Sequence, residues 1–240
     1  MNWNITKKLL SIFLGLLLFV GCFLPAAPVT ASAAATLCAK HPTSPVSRVA
    51  GSTRYDTAIA IADEYKALAN IDKFPGIILA NGTNCADALA GSYLSYKKQV
   101  PILLVGDTAN DSKTVIKYIK DNLQADGDVF ILGGIKAVDA SFEKALSSFN
   151  ITRLSGSNRY ETNLAIVDRV YGTGEPILIC TGNSFADSLS ASATGLPILL
   201  VGESLLDSQK MWFGKNTDFE FFILGGTAAV GETVESELSQ

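Results

Sequence analysis

The chain has little of what most enzymes use for chemistry. Among 240 residues there is one histidine, His41, and four cysteines. A nucleophile–histidine pair cannot form within the body of the chain, because His41 lies upstream of every repeated segment. Cys22 falls inside an apolar leader, which leaves Cys38, Cys85 and Cys180. That odd number, at these spacings, fits neither a zinc site nor a small disulfide framework. Cys38 and His41 supply only two potential ligands, too few for a metal, and read as linker residues. Neither the dinucleotide pattern G-x-G-x-x-G nor the phosphate loop G-x-x-x-x-G-K-S/T occurs. Basic residues are also in deficit, 19 against 23 acidic, which argues against indiscriminate binding to nucleic acid or anionic membrane. Apart from the leader, no apolar run approaches the length that spans a bilayer.

The leader itself is informative. Lys7 and Lys8 precede an apolar run over residues 9–24, and a small-residue stretch follows to Ala33. A basic start, an apolar middle and an Ala-x-Ala exit form a secretory signal, with cleavage expected after Ala31-Ser32-Ala33. Lipid attachment at Cys22 is the alternative, since Phe19-Val20-Gly21-Cys22 loosely matches a lipobox. Cleavage would remove two lysines and no acid, taking the net charge from −4 to −6.

What the chain does have is internal repetition. Arg48-Val-Ala-Gly-Ser-Thr-Arg54-Tyr55-Asp-Thr57 returns as Arg153-Leu-Ser-Gly-Ser-Asn-Arg159-Tyr160-Glu-Thr162. Asn81-Gly-Thr-Asn-Cys-Ala-Asp87-Ala-Leu89 returns as Thr181-Gly-Asn-Ser-Phe-Ala-Asp187-Ser-Leu189. Pro101-Ile-Leu-Leu-Val-Gly106 and Phe130-Ile-Leu-Gly-Gly134 recur letter for letter from Pro197 and Phe222. The offset shrinks from 105 to 92 along the series, so the second copy keeps the elements and shortens the connections. The organisation expected is a signal over 1–33, a linker over 34–45, a first repeat over 46–150 and a second over 151–240.

Residues 46–50, 76–80, 101–105 and 128–132 are short β-branched or leucine-rich runs without polar alternation, as strands buried on both faces require. Residues 55–69, 86–97, 111–123 and 139–149 between them are amphipathic at helical spacing. The second copy places equivalent strands near 152–155, 177–180, 197–201 and 219–224. Strands alternating with helices predict α/β units with doubly wound parallel sheets, two in tandem.

Ligands of such sheets bind beyond the carboxyl ends of the strands. Thr53-x-x-Asp56, Asn158-x-x-Glu161, Asn84-x-x-Asp87 and Ser184-x-x-Asp187 all have the form of helix capping boxes. Arg54 and Arg159 stand in first helical turns, where the helix dipole disfavours a cation. That placement calls for a partner. It is either Asp87 or Asp187 on the neighbouring loop, or an acidic ligand group held beside the helix amides. Tyr55 and Tyr160 read as packing at the core edge, with sugar stacking as the alternative. Gly133-Gly134 and Gly225-Gly226 read as tight turns. No catalytic set and no cofactor pattern emerge.

The blocks R-[VL]-x-G-S-x-R-Y-[DE]-T, [NT]-G-x-x-x-A-D-[AS]-L, P-I-L-L-V and F-I-L-G-G together resemble the cell wall binding repeat 2 family, from Arg48 to the end. The resemblance implies a flavodoxin-like or Toprim-like fold and an exported, non-catalytic module of Gram-positive or S-layer surfaces. It implies non-covalent attachment through an anionic secondary wall polysaccharide or teichoic-acid-like polymer. Carried onto this chain, the polymer-binding candidates are Arg54, Tyr55, Asp87, Arg159, Tyr160 and Asp187. Family members usually carry three copies where two are visible here, and residues 34–47 are too few for a separate effector domain. A small-ligand or nucleotide-binding enzyme, or a self-assembling surface subunit and hence a homo-oligomer, are the competing readings.

Overall fold

The computed structural model describes residues 47–83, 85–215 and 219–239. The expected signal, Cys38 and His41 lie outside them, and so does Asn84. Val49–Gln240 form one compact body.

Helices and strands alternate: α1 (Arg54–Ala69), β1 (Phe74–Asn81), α2 (Cys85–Lys98), β2 (Ile102–Val105), α3 (Lys113–Asn122), β3 (Leu123–Leu132), α4 (Ser141–Ala145) and β4 (Asn150–Leu154). The series continues with α5 (Arg159–Asp168), β5 (Ile177–Thr181), α6 (Ala186–Ser192), β6 (Ile198–Val201), α7 (Asp207–Lys215), β7 (Phe221–Ile223) and α8 (Glu232–Leu238). All strand pairs are parallel, in two sheets ordered β2-β1-β3-β4 and β6-β5-β7. The tandem α/β architecture expected from the repeats is therefore present.

Continuous burial explains the strands. Every residue of β1 except Pro75 is buried, as are all of β5 and β6. One face of the first sheet (Ile77, Leu79, Val129, Ile131) packs on Ala62, Ile119 and Phe142 from α1, α3 and α4. The opposite face (Ile78, Phe130, Leu132) packs on Ala90 and Leu94 of α2 and on Ile166 of α5. In the second sheet, Ile177 and Ile179 meet Leu164, Val167, Trp212 and Val234, while Leu178, Cys180 and Leu200 meet Ala191 of the short α6. Helix α5 thus serves two sheets at once.

Three expectations change. Residues 47–50 form no strand and are exposed. Their equivalent, β4, is a strand only because it lies on β3, pairing Phe130 with Thr152 and Leu132 with Leu154. The opening strand of the second copy therefore completes the sheet of the first. Helix α4 spans 141–145 and gives way to turns through 149, shorter than the periodicity suggests.

The buried polar side chain of Asn163 is explained by the edge strand it holds. Its Nδ2 donates to the Ile198 carbonyl and its Oδ1 accepts from Leu200 N–H, both at 2.8 Å. Asn163→Ala strands both backbone groups in a dry interface, and is expected to cost about 2 kcal/mol in urea unfolding.

Candidate functional site

The first repeated loop starts α1 and α5. Thr53 caps α1: its hydroxyl accepts from Asp56 N–H at 3.2 Å, and the Asp56 carboxylate accepts from Thr53 N–H at 3.2 Å. Hydrogen bonds from the Ser52 and Thr53 hydroxyls hold the Asp56 carboxyl below its ordinary range. In the second copy Asn158 Oδ1 accepts from both Tyr160 and Glu161 N–H. Glu161 reaches back to Ser157 N–H, one residue beyond the reciprocal arrangement. The expected cap holds in both copies; the full box closes only in the first.

The arginines go elsewhere than to the acids of their own copy. Arg54 Nη1 donates to the Gly82 carbonyl at 2.6 Å, and Arg159 Nη1 to the Gly182 carbonyl at 2.7 Å. Each pins the loop that follows β1 or β5. Among the described residues no ion pair joins Arg54 to Asp87 or Arg159 to Asp187. Instead the charge of Arg159 bears on Asp87 of the first copy, because α5 packs beside α2. Burial pushes the Asp87 carboxyl up, and Arg159 partly offsets that.

Both aspartates sit against a positive-φ glycine. A Cβ on Gly133 (φ 99°) would lie 2.7 Å from Asp87 Oδ2, and one on Gly225 (φ 108°) would lie 3.0 Å from Asp187 Oδ2. The Gly-Gly pairs are the tight turns anticipated, shaped to receive a carboxylate. With Asp187 turned that way, the Ser184-x-x-Asp187 box does not form. Phe185 occupies the N-cap of α6, and Ser184 Oγ accepts only a long 3.5 Å bond from Ala186 N–H. The matching Asn84 is outside the described residues.

Tyr55 and Tyr160 lie over Gly82 and Gly182, so close that a Cβ there would come within 2.6 and 2.3 Å of the rings. Both rings are half-buried at core edges, and the Tyr160 hydroxyl donates to Asn183 Oδ1 at 3.3 Å. Glycine after each strand is what lets the ring seal the loop.

Arg159, Gly182, Asn183 and Ser184 of the second copy and Ala86 and Leu89 of the first line a small cleft of about 80 Å³. Of the six candidate side chains, only Arg159 lines it. A larger cleft of about 690 Å³ lies between α5 and α7, lined by Glu161, Asp168, Met211, Trp212 and Lys215. Sequence reasoning missed it. The available signal was Trp212, whose Nε1 donates to Asp168 Oδ1 at 2.6 Å, matched in the first copy by Tyr118 donating to Asp63 at 2.7 Å. Cys180 is buried mid-strand, its thiol pushed up to about 12 by burial and then by Asp187, so it is inert structure. Among the described residues no three His, Cys, Asp or Glu side chains gather as metal ligands, and no helix is long and apolar enough to cross a membrane.

Comparison with known proteins places this geometry. The chain is 29% identical to the N-acetylmuramoyl-L-alanine amidase LytC of Bacillus subtilis, over 97% of this chain and 43% of that protein. It is 27% identical to an uncharacterized protein of Pyrococcus abyssi, over 68% of this chain and 50% of that one. Among solved structures it resembles Cwp8 from Clostridium difficile (TM-score 0.69, 28% identity, 79% of this chain and 32% of that one). Cwp6 from the same organism is similar (TM-score 0.67, 25% identity, 80% and 31%). The chain thus spans half or less of each. The model for cell wall binding domain 2 matches residues 48–143 and 153–235, the two copies found by repetition. The chain belongs to the cell wall binding domain 2 family.

Proposed function

We propose that this chain is exported, with its signal removed after Ala33, and attaches non-covalently to the wall through an anionic secondary polymer. The reading includes no bond-making chemistry and no cofactor. The observation that carries it is Arg159. Its guanidinium stands in the first turn of α5, at the carboxyl end of β5, in a cleft to which both copies contribute. One Nη1 hydrogen is committed to the Gly182 carbonyl, and a guanidinium has five N–H donors. The remaining donors suit phosphate or carboxylate groups spaced along a polymer. Arg54, exposed and pinned in the same way to Gly82, offers a second contact. Tyr55 and Tyr160 shape the loops, and Asp87 and Asp187 hold the turns behind them. A local cationic pair reconciles an acidic chain with an anionic ligand, since close charge-assisted hydrogen bonds outweigh a screened net field.

The test is retention on purified wall before and after the secondary polymer is stripped. The chain is expected on unstripped wall only. Arg54→Ala combined with Arg159→Ala is expected to lower retention at least tenfold, roughly 1.4 kcal/mol or more, with circular dichroism unchanged. Equal retention on stripped and unstripped wall refutes the polymer.

A further inference from the structure

The two sheets follow one plan, but among the described residues only the first has its fourth strand. On the first sheet β4 lies along β3, and Arg153 from β4 plugs into three acceptors. Its Nε donates to Glu143 at 2.9 Å, and its Nη1 to the Gly133 and Val138 carbonyls at 2.8 and 2.9 Å. Leu154 of β4 and Ile166 of α5 close over Phe130 and Leu132. Phe130 is left 1% exposed.

Among the described residues of the second sheet β7 pairs with β5 alone, and no strand lies along its other edge. Phe222, the equivalent of Phe130, is 46% exposed. The acceptors recur at matching positions: the Gly225 and Val230 carbonyls, and the exposed Glu235 on α8. No cation occupies them among the described residues.

The missing cover also exists, at the other end of the same chain. Arg48-Val49 is the sequence equivalent of Arg153-Leu154, and both residues are exposed. Ile61 of α1, the equivalent of the fully buried Ile166, is 57% exposed and borders an apolar groove of about 580 Å³ with Tyr65 and Tyr96. The arginine–acid relation is split in the same way. Arg159 bears on Asp87 across the copies, while among the described residues no ion pair joins Arg54 to Asp187, the two halves of a second such pair.

We infer that this chain associates head to tail with a second copy of itself. Residues 47–49 of one chain add in parallel to the free edge of β7 of the other. Arg48 enters the Gly225–Val230–Glu235 socket, Val49 and Ile61 cover Phe222, and Arg54 meets Asp187. The contact reproduces, between chains, the interface that already joins the two copies within one. Strand addition supplies the backbone hydrogen bonds of an unpaired edge, and the apolar face supplies the burial. Such an interface joins unlike surfaces, so copies add in series until a ring closes or a filament grows. The inference does not rest on polymer binding, and its test contains no wall material.

The purified chain is followed by size-exclusion light scattering from about 1 to 300 μM. Mass is expected to rise with concentration. Ile61→Lys removes the covering face and Phe222→Lys removes the surface it covers, so each is expected to weaken association at least tenfold. Mixing the two variants pairs one intact face with one intact edge, and association is expected to return and stop at two chains. Arg48→Glu is expected to weaken association, the substitution lying at an exposed position that leaves the melting temperature unchanged. A single-chain mass throughout, variants that associate like the parent, or a mixture no larger than its components would each overturn the inference.

Discussion

Phe130→Ala is expected to lower stability by about 3–5 kcal/mol, and Phe222→Ala, at the same position of an identical five-residue motif, by about 1 kcal/mol or less. The difference is one of cover. Phe130 lies among Ile78, Leu94, Leu132, Leu154 and Ile166, and truncation there leaves a cavity that rigid sheet and helix cannot close. Phe222 is already nearly half in water, so its loss removes little burial and makes no void. Urea unfolding of both variants in dilute solution makes the comparison. Equal losses would mean that the β7 edge is as well covered as β3. Raising the protein concentration is expected to increase the cost of Phe222→Ala alone, because a second chain then buries that ring.

The repeats made most of the fold legible. Each apolar run without alternation that lies between two helices became a parallel strand, and residues 55–69 and 86–97 became α1 and α2 within a residue or so at each end. The sheet membership of β4 was not legible. Repetition marks where a sequence unit begins, whereas a strand belongs to whichever edge it can pair with, and Asn150–Leu154 pairs with β3. For the same reason the 46–50 run carries strand composition while its described residues 47–50 form none: composition permits a strand, and a neighbouring edge makes one. The site shows a parallel lesson. The motifs located Arg54, Arg159, Asp87 and Asp187 in loops at the carboxyl ends of strands. Proximity in sequence then suggested pairing within a copy. Packing of α5 beside α2 decided otherwise and brought Arg159 to Asp87. The cleft beside Trp212 escaped notice because its lining comes from two helices whose facing is a tertiary property.

Gly156→Ala is expected to destabilise the chain by about 3 kcal/mol and to reduce wall retention with it. A Cβ there would stand 2.3 Å from Glu161 Cβ, 2.6 Å from the Glu161 carbonyl carbon and 2.8 Å from Thr162 N. Two of those atoms are backbone in the first turn of α5, so the turn must move. Gly156 N–H also donates to Thr162 Oγ1 at 3.0 Å, a bond that a displaced turn breaks. Arg159 sits in that turn and moves with it, which leaves Asp87 with burial and without its offsetting charge. The Asp87 carboxyl, already raised, then rises further. A group whose folded pKa exceeds its unfolded value destabilises as pH climbs from the unfolded value through the folded one. The cost of Gly156→Ala is therefore expected to be larger at pH 7 than near pH 4, read by urea unfolding at both. Gly51→Ala crowds Asp56 and Thr57 just as closely, at 2.3, 2.5 and 2.7 Å, yet among the described residues no ion pair joins Arg54 to an acid of the other copy. Its cost is expected to lack that extra loss toward neutral pH. If the two glycine variants lose stability with the same pH profile, Arg159 does not act on Asp87 across the copies.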